Sequence, residues 1–398
     1  MTETEFDCLI VGGGPTGAAL ALALSNLSSS FRTALLDAVI APTDTAPTFD
    51  ERVLAISEGS RCLLDQLGMW PALAAEACPI RHIHVSDRGQ FGRAILNAAE
   101  LGVAALGQVV PLRVIGQMLH RELAGRANIM RLTGKVTELS PLQDGIALQM
   151  AGESGQQRLQ ARLVLAADGG PSSLRALAGL PVEIDDYQQT ALIATVRAER
   201  EHQNWAYERF TPTGPLALLP MTQNRLSLVW TQTPVDADRL LGVSESDFLR
   251  ELQQAFGWRL GRLQTAGVRE AFALKRVHSP VRRQGRLLLM GNAATTLHPI
   301  AGQGFNLALR DAMAFAEHLR SSLTAGADVA LPATLDHFVA NRQKDAGHVA
   351  WVTDSLVRLF SNEFPVLTPL RGAALSMLDL LPQLKRQVGK QAMGLVGS

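Results

Sequence analysis

Three glycines near the start of the chain, Gly12, Gly14 and Gly17, have a spacing that is typical of a ligand-binding turn. They follow an apolar run of strand length, 6–11, and precede an alanine- and leucine-rich run, 18–24, that favours a helix. At such a turn a pyrophosphate can lie against the helix N–H groups, which carry partial positive charge. Gly12 permits the tight turn, Gly14 leaves room for the phosphate, and Gly17 lets helix and strand approach closely. The spacing predicts a dinucleotide-binding turn.

A carboxylate stands where the ribose of a dinucleotide is expected. The apolar run 34–36 ends at Asp37, about 20 residues after Gly17, where an acceptor for ribose hydroxyls usually follows. The plainer alternative is a glycine-rich turn followed by a surface aspartate. Because both features occur in the expected order, we favour the dinucleotide site.

Another apolar run, 163–167, is followed directly by Asp168 and Gly169, which predict a turn. Ser172 follows at a position where its side chain could cap a short helix, and Arg175 stands three residues further on. Taken alone, this pattern indicates only a strand end and a capped helix. Together with the glycine triplet it becomes specific for a dinucleotide site.

A third apolar run, 286–290, leads into Gly291 and Asn292, and a glycine-rich loop then opens a predicted helix, 306–321. The N-terminus of that helix presents partial positive charge to whatever lies in front of it. For a flavin this would be the pyrimidine edge, where negative charge accumulates on reduction. The three turns together indicate a flavin nucleotide and hence an oxidoreductase.

The sequence contains no second glycine triplet of this kind at a strand-to-helix turn. Enzymes that hold flavin and nicotinamide in separate domains of this architecture usually show two. We therefore expect NAD(P)H to reduce the flavin in a transient encounter.

The composition of the 398-residue chain predicts a cytoplasmic protein with two hydrophobic cores. Its 37 basic and 37 acidic residues balance to a formal charge of +0, so nothing indicates nucleic acid as a partner. No apolar run approaches the ~18 residues of a membrane helix, and the acidic N-terminus leaves no room for a signal peptide. Cys8, Cys62 and Cys78 lack metal-ligand spacing, so we expect reduced thiols and no metal site.

Longer motifs resemble a known family. The sequence is similar to class A flavoprotein aromatic hydroxylases of the para-hydroxybenzoate hydroxylase type, and within them to the ubiquinone-biosynthesis hydroxylases that act on 2-polyprenyl-6-methoxyphenol. The resemblance runs from Phe6 to about Phe360 and is carried by residues 106–110, 208–211, 214–221, 255–261 and 297–307.

The resemblance implies an α/β fold in which a Rossmann-like FAD-binding domain is interleaved with a β-sheet substrate domain. The implied segments are 1–72, 100–180 and 275–330 for the FAD-binding domain, 73–99 and 181–274 for the substrate domain, and 331–398 for a C-terminal helical region. Within the substrate domain the sequence predicts a hairpin around Gly89 to Gly92 and a strand at 226–230. The second sheet would cover the flavin, and the substrate would bind between the two domains.

The resemblance also implies roles for individual residues. The matching cofactor positions are Gly12, Gly14, Gly17 and Asp37 at the ADP half, Arg52 and Arg113 near the pyrophosphate and adenosine, Asp168 and Gly169 where the reductant approaches, Gly291 and Asn292 at the ribityl chain, and Pro299, Gly302, Gly304 and Asn306 beside the isoalloxazine ring. Asn292 replaces the family's usual aspartate, so a charge-assisted hydrogen bond becomes a neutral one about half as strong. Since the same change occurs in this subfamily, we interpret it as typical of the lineage.

The implied reaction is hydroxylation of an electron-rich phenol. Reduced FAD and O2 form a C4a-hydroperoxide whose distal oxygen passes to a ring carbon, while the protein excludes water and positions the ring. The predicted catalytic element is the loop with His298, Pro299 and Gly302. His298 could relay a proton because imidazole titrates near neutral pH, although packing or a backbone hydrogen bond is the plainer interpretation.

Candidate walls of the site for this lipophilic substrate are Tyr207, Arg209, Phe210 and Met221, although sheet packing is the plainer interpretation of each. The leucine-rich stretch 367–384 is broken by Pro382 and followed by basic residues. This stretch could be a surface element that contacts the inner face of a membrane or other ubiquinone-biosynthesis proteins. The alternative is a helix that closes the FAD-binding domain.

Other functions remain compatible with these motifs. They are hydroxylation of another ring position or another aromatic substrate, flavin-dependent reduction of a prenyl chain, and a non-catalytic flavoprotein subunit of a biosynthetic complex.

Overall fold

The computed structural model describes residues 4–38, 52–153, 155–296, 303–344 and 381–395, together with Gly347 and Met377. The helices are Pro15–Ser25 (α1), Glu58–Gln66 (α2), Trp70–Leu73 (α3), Leu112–Ala124 (α4), Ser173–Leu177 (α5), Pro234–Gly242 (α6), Glu245–Phe256 (α7), Gln303–Thr324 (α8) and a C-terminal helix, Pro382–Ala392. Residues 332–344 are also helical.

The strands are Thr4–Val11 (β1), Thr33–Asp37 (β2), Val53–Ser57 (β3), Cys78–Ile80 (β4), His82–Asp87 (β5), Arg93–Asn97 (β6), Gly107–Pro111 (β7), Ile129–Thr133 (β8), Lys135–Pro141 (β9), Ile146–Gly152 (β10), Gly155–Ala166 (β11), Glu183–Ala198 (β12), Trp205–Thr211 (β13), Gly214–Met221 (β14), Arg225–Gln232 (β15), Leu263–Ala266 (β16), Glu270–His278 (β17), Arg283–Gln284 (β18), Leu287–Leu289 (β19) and Thr295–Thr296 (β20). The predicted α/β class is confirmed, as are the hairpin, now β5 and β6, and the strand at 226–230, now β15.

The first sheet has eight strands, in the order β18-β19-β11-β1-β2-β8, with β10 and β9 continuing from β11. Its centre is parallel, because β1 pairs in parallel with both β11 and β2. The carboxyl ends of these strands therefore meet at one edge, where ligands bind in sheets of this type. Helix α1 covers this sheet, and its small side chains are buried from Gly17 to Ser25.

The second sheet has nine strands, in the order β20-β17-β12-β15-β14-β13-β5-β6, with β16 beside β12. All its pairs are antiparallel except β13 with β5. Helices α6 and α7 cover one face, where Phe248 and Phe256 are buried against Trp230 and Tyr207. The opposite face looks toward a small third sheet, β3-β7-β4.

The strands of the first sheet come from residues 4–37, 129–166 and 283–289, and those of the second from 82–97, 183–278 and 295–296. The two sheets interleave because the chain leaves the first sheet for the second three times, after β2, after β11 and after β19. The exact domain bounds given above stay predictions.

A C-terminal helix begins at Pro382, the proline that breaks the leucine-rich stretch. Pro382 lies in the first turn of the C-terminal helix, where its missing N–H would have no partner in any case. Lys385 Nζ lies 3.0 Å from Glu100 Oε2, and Met393 is buried and accepts a hydrogen bond from the Gly59 N–H. The segments 348–376 and 378–380 lie outside the described residues, so the membrane or partner contact stays a prediction.

Candidate active site

A cleft of about 590 Å³ lies at the carboxyl ends of β1, β2 and β11. It is lined by the three predicted turns, represented by residues 12–14, the pair Asp168 and Gly169, and Asn292, and also by Asp37. These groups are separated by up to about 280 residues in sequence, and the parallel strands bring them to one sheet edge. The structure thus assembles the site that the spacing of the motifs predicts.

The three glycines of the first turn are required for different reasons. Gly12 has φ +108°, which side chains rarely adopt, and a Cβ on Gly17 would overlap the Gly12 carbonyl oxygen. Gly14 has no protein atom within 4 Å of the position of a Cβ. Gly12 and Gly17 are therefore needed by the fold, whereas Gly14 leaves open space in front of α1.

The N-terminus of α1 is suited to an anion. No side chain caps it among the described residues, and its first turn contains no acidic residue. The N–H groups at the start of a helix otherwise lack partners, and here they face the cleft. A diphosphate at this position would receive these hydrogen bonds.

The two carboxylates of the cleft are held in place by the backbone. Asp37 Oδ1 accepts a hydrogen bond of 2.8 Å from the Ala38 N–H, and its Oδ2 lies against Gly13. Asp168 Oδ2 accepts from Ser173 Oγ at 3.0 Å and from the Leu174 N–H at 3.1 Å. Asp168 Oδ1 is buried and has no partner among the described residues. A buried acceptor without a donor indicates that a ligand supplies one.

Arg175 joins two of the three turns. Its guanidinium is buried and donates to the Gly170 carbonyl at 2.7 Å and to the Ala293 carbonyl at 2.8 Å. The predicted cap at Ser172 is confirmed, since its hydroxyl accepts from the Arg175 N–H at 3.1 Å. Arg175 therefore fixes the spacing between the Asp168 turn and the Asn292 turn.

The third turn supplies Asn292, and Asn306 links α8 to another part of the fold. Gly291 has φ +56°, and Asn292 follows it into the cleft. The Asn306 amide is buried, donates to the Ala55 carbonyl at 2.8 Å and accepts from the Ser57 N–H at 2.9 Å. It thus ties α8 to β3.

Gly304 stands in the first turn of α8, and a Cβ there would lie 4.0 Å from Asn292 Oδ1. His298, Pro299 and Gly302 lie outside the described residues, and their roles stay predictions. So do the roles predicted for Arg52 and Arg113, neither of which lines the cleft. Arg52 instead lines a second cavity, and Arg113 donates to Gln117 Oε1 on α4.

The second cavity, of about 400 Å³, lies between the second sheet and the segment around β3. Its apolar lining residues are Val53, Leu54, Ala55, Leu112, Ala191, Ile193, Pro215, Ala217, Leu219, Val229, Phe272, Ala273 and Leu274. Its polar ones are Arg52, Glu208, Ser227, Thr231, Lys275 and Thr296. Thr296 stands four residues after Asn292, so one short segment borders both cavities. A lining of this kind suits an apolar ligand with few polar groups.

None of the four predicted wall residues lines this cavity. Successive residues of a strand face opposite sides of the sheet. Tyr207 packs edge-on against Phe256, with ring centroids 5.3 Å apart, and Arg209 lies beside Gly257 at the end of α7. Both therefore lie on the helix-covered face, away from the cavity. Glu208, which the sequence prediction missed, lines the cavity instead.

The other two predicted wall residues are buried in local packing. Phe210 packs with Ala94 and Val85 on the hairpin, and Met221 packs in the cluster that includes Met393. Neither lines the cavity. The alternation of side chains along β13 places Tyr207 and Glu208 on opposite faces of the sheet. By itself this pattern does not show which of the two faces lines the cavity.

Comparison with known proteins agrees with this geometry. Residues 5–350 match the family model described as FAD binding domain. Ubiquinone hydroxylase UbiL of Rhodospirillum rubrum is 36% identical over 391 residues, 98% of this chain and 89% of that protein. The 3-demethoxyubiquinol 3-hydroxylase of Escherichia coli is 34% identical over 399 residues, 99% of this chain and all 100% of that protein.

The chain belongs to the FAD-dependent hydroxylases of ubiquinone biosynthesis. FAD is its cofactor, and O2 as cosubstrate and NAD(P)H as reductant are typical of this family. The fold is also that of p-nitrophenol 4-monooxygenase PnpA from Pseudomonas putida, with a TM-score of 0.81, 19% identity, and coverage of 98% of this chain and 99% of that one. In the described part of the chain, no helix is long and apolar enough to cross a membrane.

Asn292 offers a direct test of the FAD geometry. If its side chain reaches the cofactor from the cleft wall, Asn292→Asp should bind FAD as tightly as the natural protein or more tightly, since a carboxylate accepts a stronger hydrogen bond. Asn292→Leu should weaken binding by about 1–3 kcal/mol because polar groups lose their partner. Fluorescence titration of the apoprotein with FAD measures this. Equal affinity in all three proteins would show that the side chain does not reach the cofactor.

Proposed function

We propose that this protein hydroxylates the aromatic ring of 2-polyprenyl-6-methoxyphenol in ubiquinone biosynthesis, with NAD(P)H and O2 as cosubstrates. The observation that carries the proposal is the apolar cavity of about 400 Å³, which shares the segment from Asn292 to Thr296 with the dinucleotide cleft. The names of the relatives, a ubiquinone hydroxylase and a 3-demethoxyubiquinol 3-hydroxylase, support a substrate of this class.

The two cavities would bind different molecules, FAD in the cleft and the phenol in the apolar cavity. The α1 turn and Asp37 would hold the ADP half of FAD, and the Asp168 and Asn292 turns would hold the part nearer the ring. When bound and reduced, FAD activates O2 and supplies the oxygen atom. The apolar walls would exclude water and hold the phenol ring beside the flavin, so that the reacting carbon meets the oxygen.

The reaction is tested with purified FAD-loaded protein, NAD(P)H, O2 and a short-chain 2-prenyl-6-methoxyphenol. We expect one oxygen atom to enter the ring para to the hydroxyl, because the phenol oxygen donates electron density there and the ortho substituents leave that carbon open. With 18O-labelled dioxygen, the product should carry one labelled atom by mass spectrometry.

Three other outcomes would contradict the proposal in different ways. Label from water, or turnover without O2, would exclude the oxygenase route. Saturation of the prenyl chain would indicate the reductase. Insertion at another ring carbon would keep the enzyme class and change the position.

A further inference from the structure

Glu208 is a carboxylic acid in an apolar cavity. It lies on β13 directly opposite Ala217 of β14, which in turn lies opposite Val229 of β15, and all three line the cavity. Its neighbour Tyr207 faces the helices. The carboxyl group therefore projects from the wall formed by the second sheet into the space proposed for the substrate.

No hydrogen bond or ion pair joins the Glu208 carboxylate to any of the described residues. The other charged groups that border the cavity are Arg52 and Lys275. Lys275 lies on β17, four strands from β13, which is roughly 19 Å at the usual strand spacing, and it pairs with Asp186 at 3.4 Å. Arg52 is exposed ahead of β3 on the opposite wall. Neither cation neutralises Glu208 as a structural ion pair would.

Burial in this apolar setting raises the pKa of Glu208 to about 7. An unpaired acid in the wall of an apolar cavity costs stability and contributes no packing that an apolar residue could not provide. Such a residue is typical of a functional site rather than of a core. A phenol is the kind of ligand that would use it, because the hydroxyl donates a hydrogen bond and the ring fits the apolar walls.

We propose that Glu208 is a catalytic residue that binds the phenolic hydroxyl of the substrate and accepts its proton, an inference that rests on the proposed hydroxylation. As the proton moves to the carboxylate, the oxygen electrons shift into the ring, and a new C–O bond forms at the para carbon while the O–O bond of the activated dioxygen breaks. The para C–H proton is then taken up by the departing oxygen atom, and Glu208 returns its proton to the ring oxygen as aromaticity is restored. One atom of O2 enters the ring and the other leaves as water, with two electrons from NAD(P)H.

The first test measures binding without turnover. Oxidised, FAD-loaded protein is titrated by calorimetry with 2-geranyl-6-methoxyphenol and with its O-methyl ether, which cannot donate a hydrogen bond. The natural protein should bind the phenol at least tenfold more tightly than the ether, since the bond is made to a charged acceptor. Glu208→Leu should remove this preference, and Glu208→Gln should keep part of it because the amide oxygen still accepts. Tyr207→Phe, on the opposite face of the same strand, should leave it unchanged.

The second test measures the rate. A carboxylate can accept the proton only when ionised, so kcat/KM of the natural protein should fall as the pH drops through about 7. Glu208→Gln should lower kcat/KM about 100-fold or more and lose this acidic limb. Removing an unpaired buried acid should not impair folding, and thermal melts of both Glu208 variants check this.

The outcomes separate the two proposals. If the natural protein converts the phenol but Glu208→Gln keeps its rate and pH profile, or if Glu208→Leu keeps the preference for phenol over ether, the role of Glu208 is wrong. If the natural protein shows the preference, which Glu208→Leu loses, yet makes no hydroxylated product, the binding role is supported and the proposed reaction fails.

Discussion

Gly14→Ala should produce a folded protein that has lost most of its affinity for FAD, whereas Gly17→Ala should fail to fold stably. At Gly14 no protein atom lies within 4 Å of an added Cβ, so the methyl group would occupy only the space proposed for the pyrophosphate. Loss of two hydrogen bonds to the phosphates, at about 1.5 kcal/mol each, predicts a rise in Kd of about 100-fold. At Gly17 the methyl group would overlap the Gly12 carbonyl and push α1 off the sheet, which we expect to cost about 3 kcal/mol or more.

Thermal melts of the apoproteins and fluorescence titration with FAD separate these two effects. Gly242→Ala is the matched control, since it also adds a methyl group where nothing lies within 4 Å, but at the end of α6. It should change neither property. Normal FAD binding by Gly14→Ala would show that the pyrophosphate does not lie in front of α1. A stable Gly17→Ala protein would show that the helix can move away from the strand.

Arg175→Met should unfold at a markedly lower temperature and release FAD more readily. The methionine can fill the space but leaves the Gly170 and Ala293 carbonyls without their charged donor. Two hydrogen bonds from a charged group, at about 1.5–3 kcal/mol each, predict a loss of roughly 3–6 kcal/mol in the free energy of unfolding. The stability of Arg175→Lys should lie between those of the natural protein and Arg175→Met, because one ammonium group cannot reproduce the planar guanidinium that reaches both carbonyls.

Denaturant unfolding with and without FAD measures this effect. Arg250→Met serves as the control, because the ion pair that Arg250 forms with Asp247 on α7 is exposed. If Arg175→Lys matched the natural protein in both stability and FAD affinity, the link between the two turns would depend on charge alone. If Arg175→Met also matched it, the link would be unimportant.

The local features of this protein were readable from its sequence. The glycine turn, the Ser172 cap and the β5–β6 hairpin depend on a few neighbouring residues, whose backbone preferences act in any surroundings. The motifs at Asp37, Asp168 and Asn292 could likewise be assigned to one site, because parallel strands place their carboxyl ends at a common edge. Family motifs supplied the expectation of FAD and of a second sheet.

The tertiary structure decided how each side chain is used. Alternation along β13 allows either Tyr207 or Glu208 to face the substrate cavity, and only the packing of α7 against one face of the sheet settles the choice. The Asn306 amide bonds to β3, about 250 residues earlier in the chain, while its place beside the flavin stays a prediction. Arg175 likewise reaches a carbonyl 118 residues away. Such pairings depend on distances between elements that no local pattern encodes, because they are set by how helices and sheets pack over the whole chain.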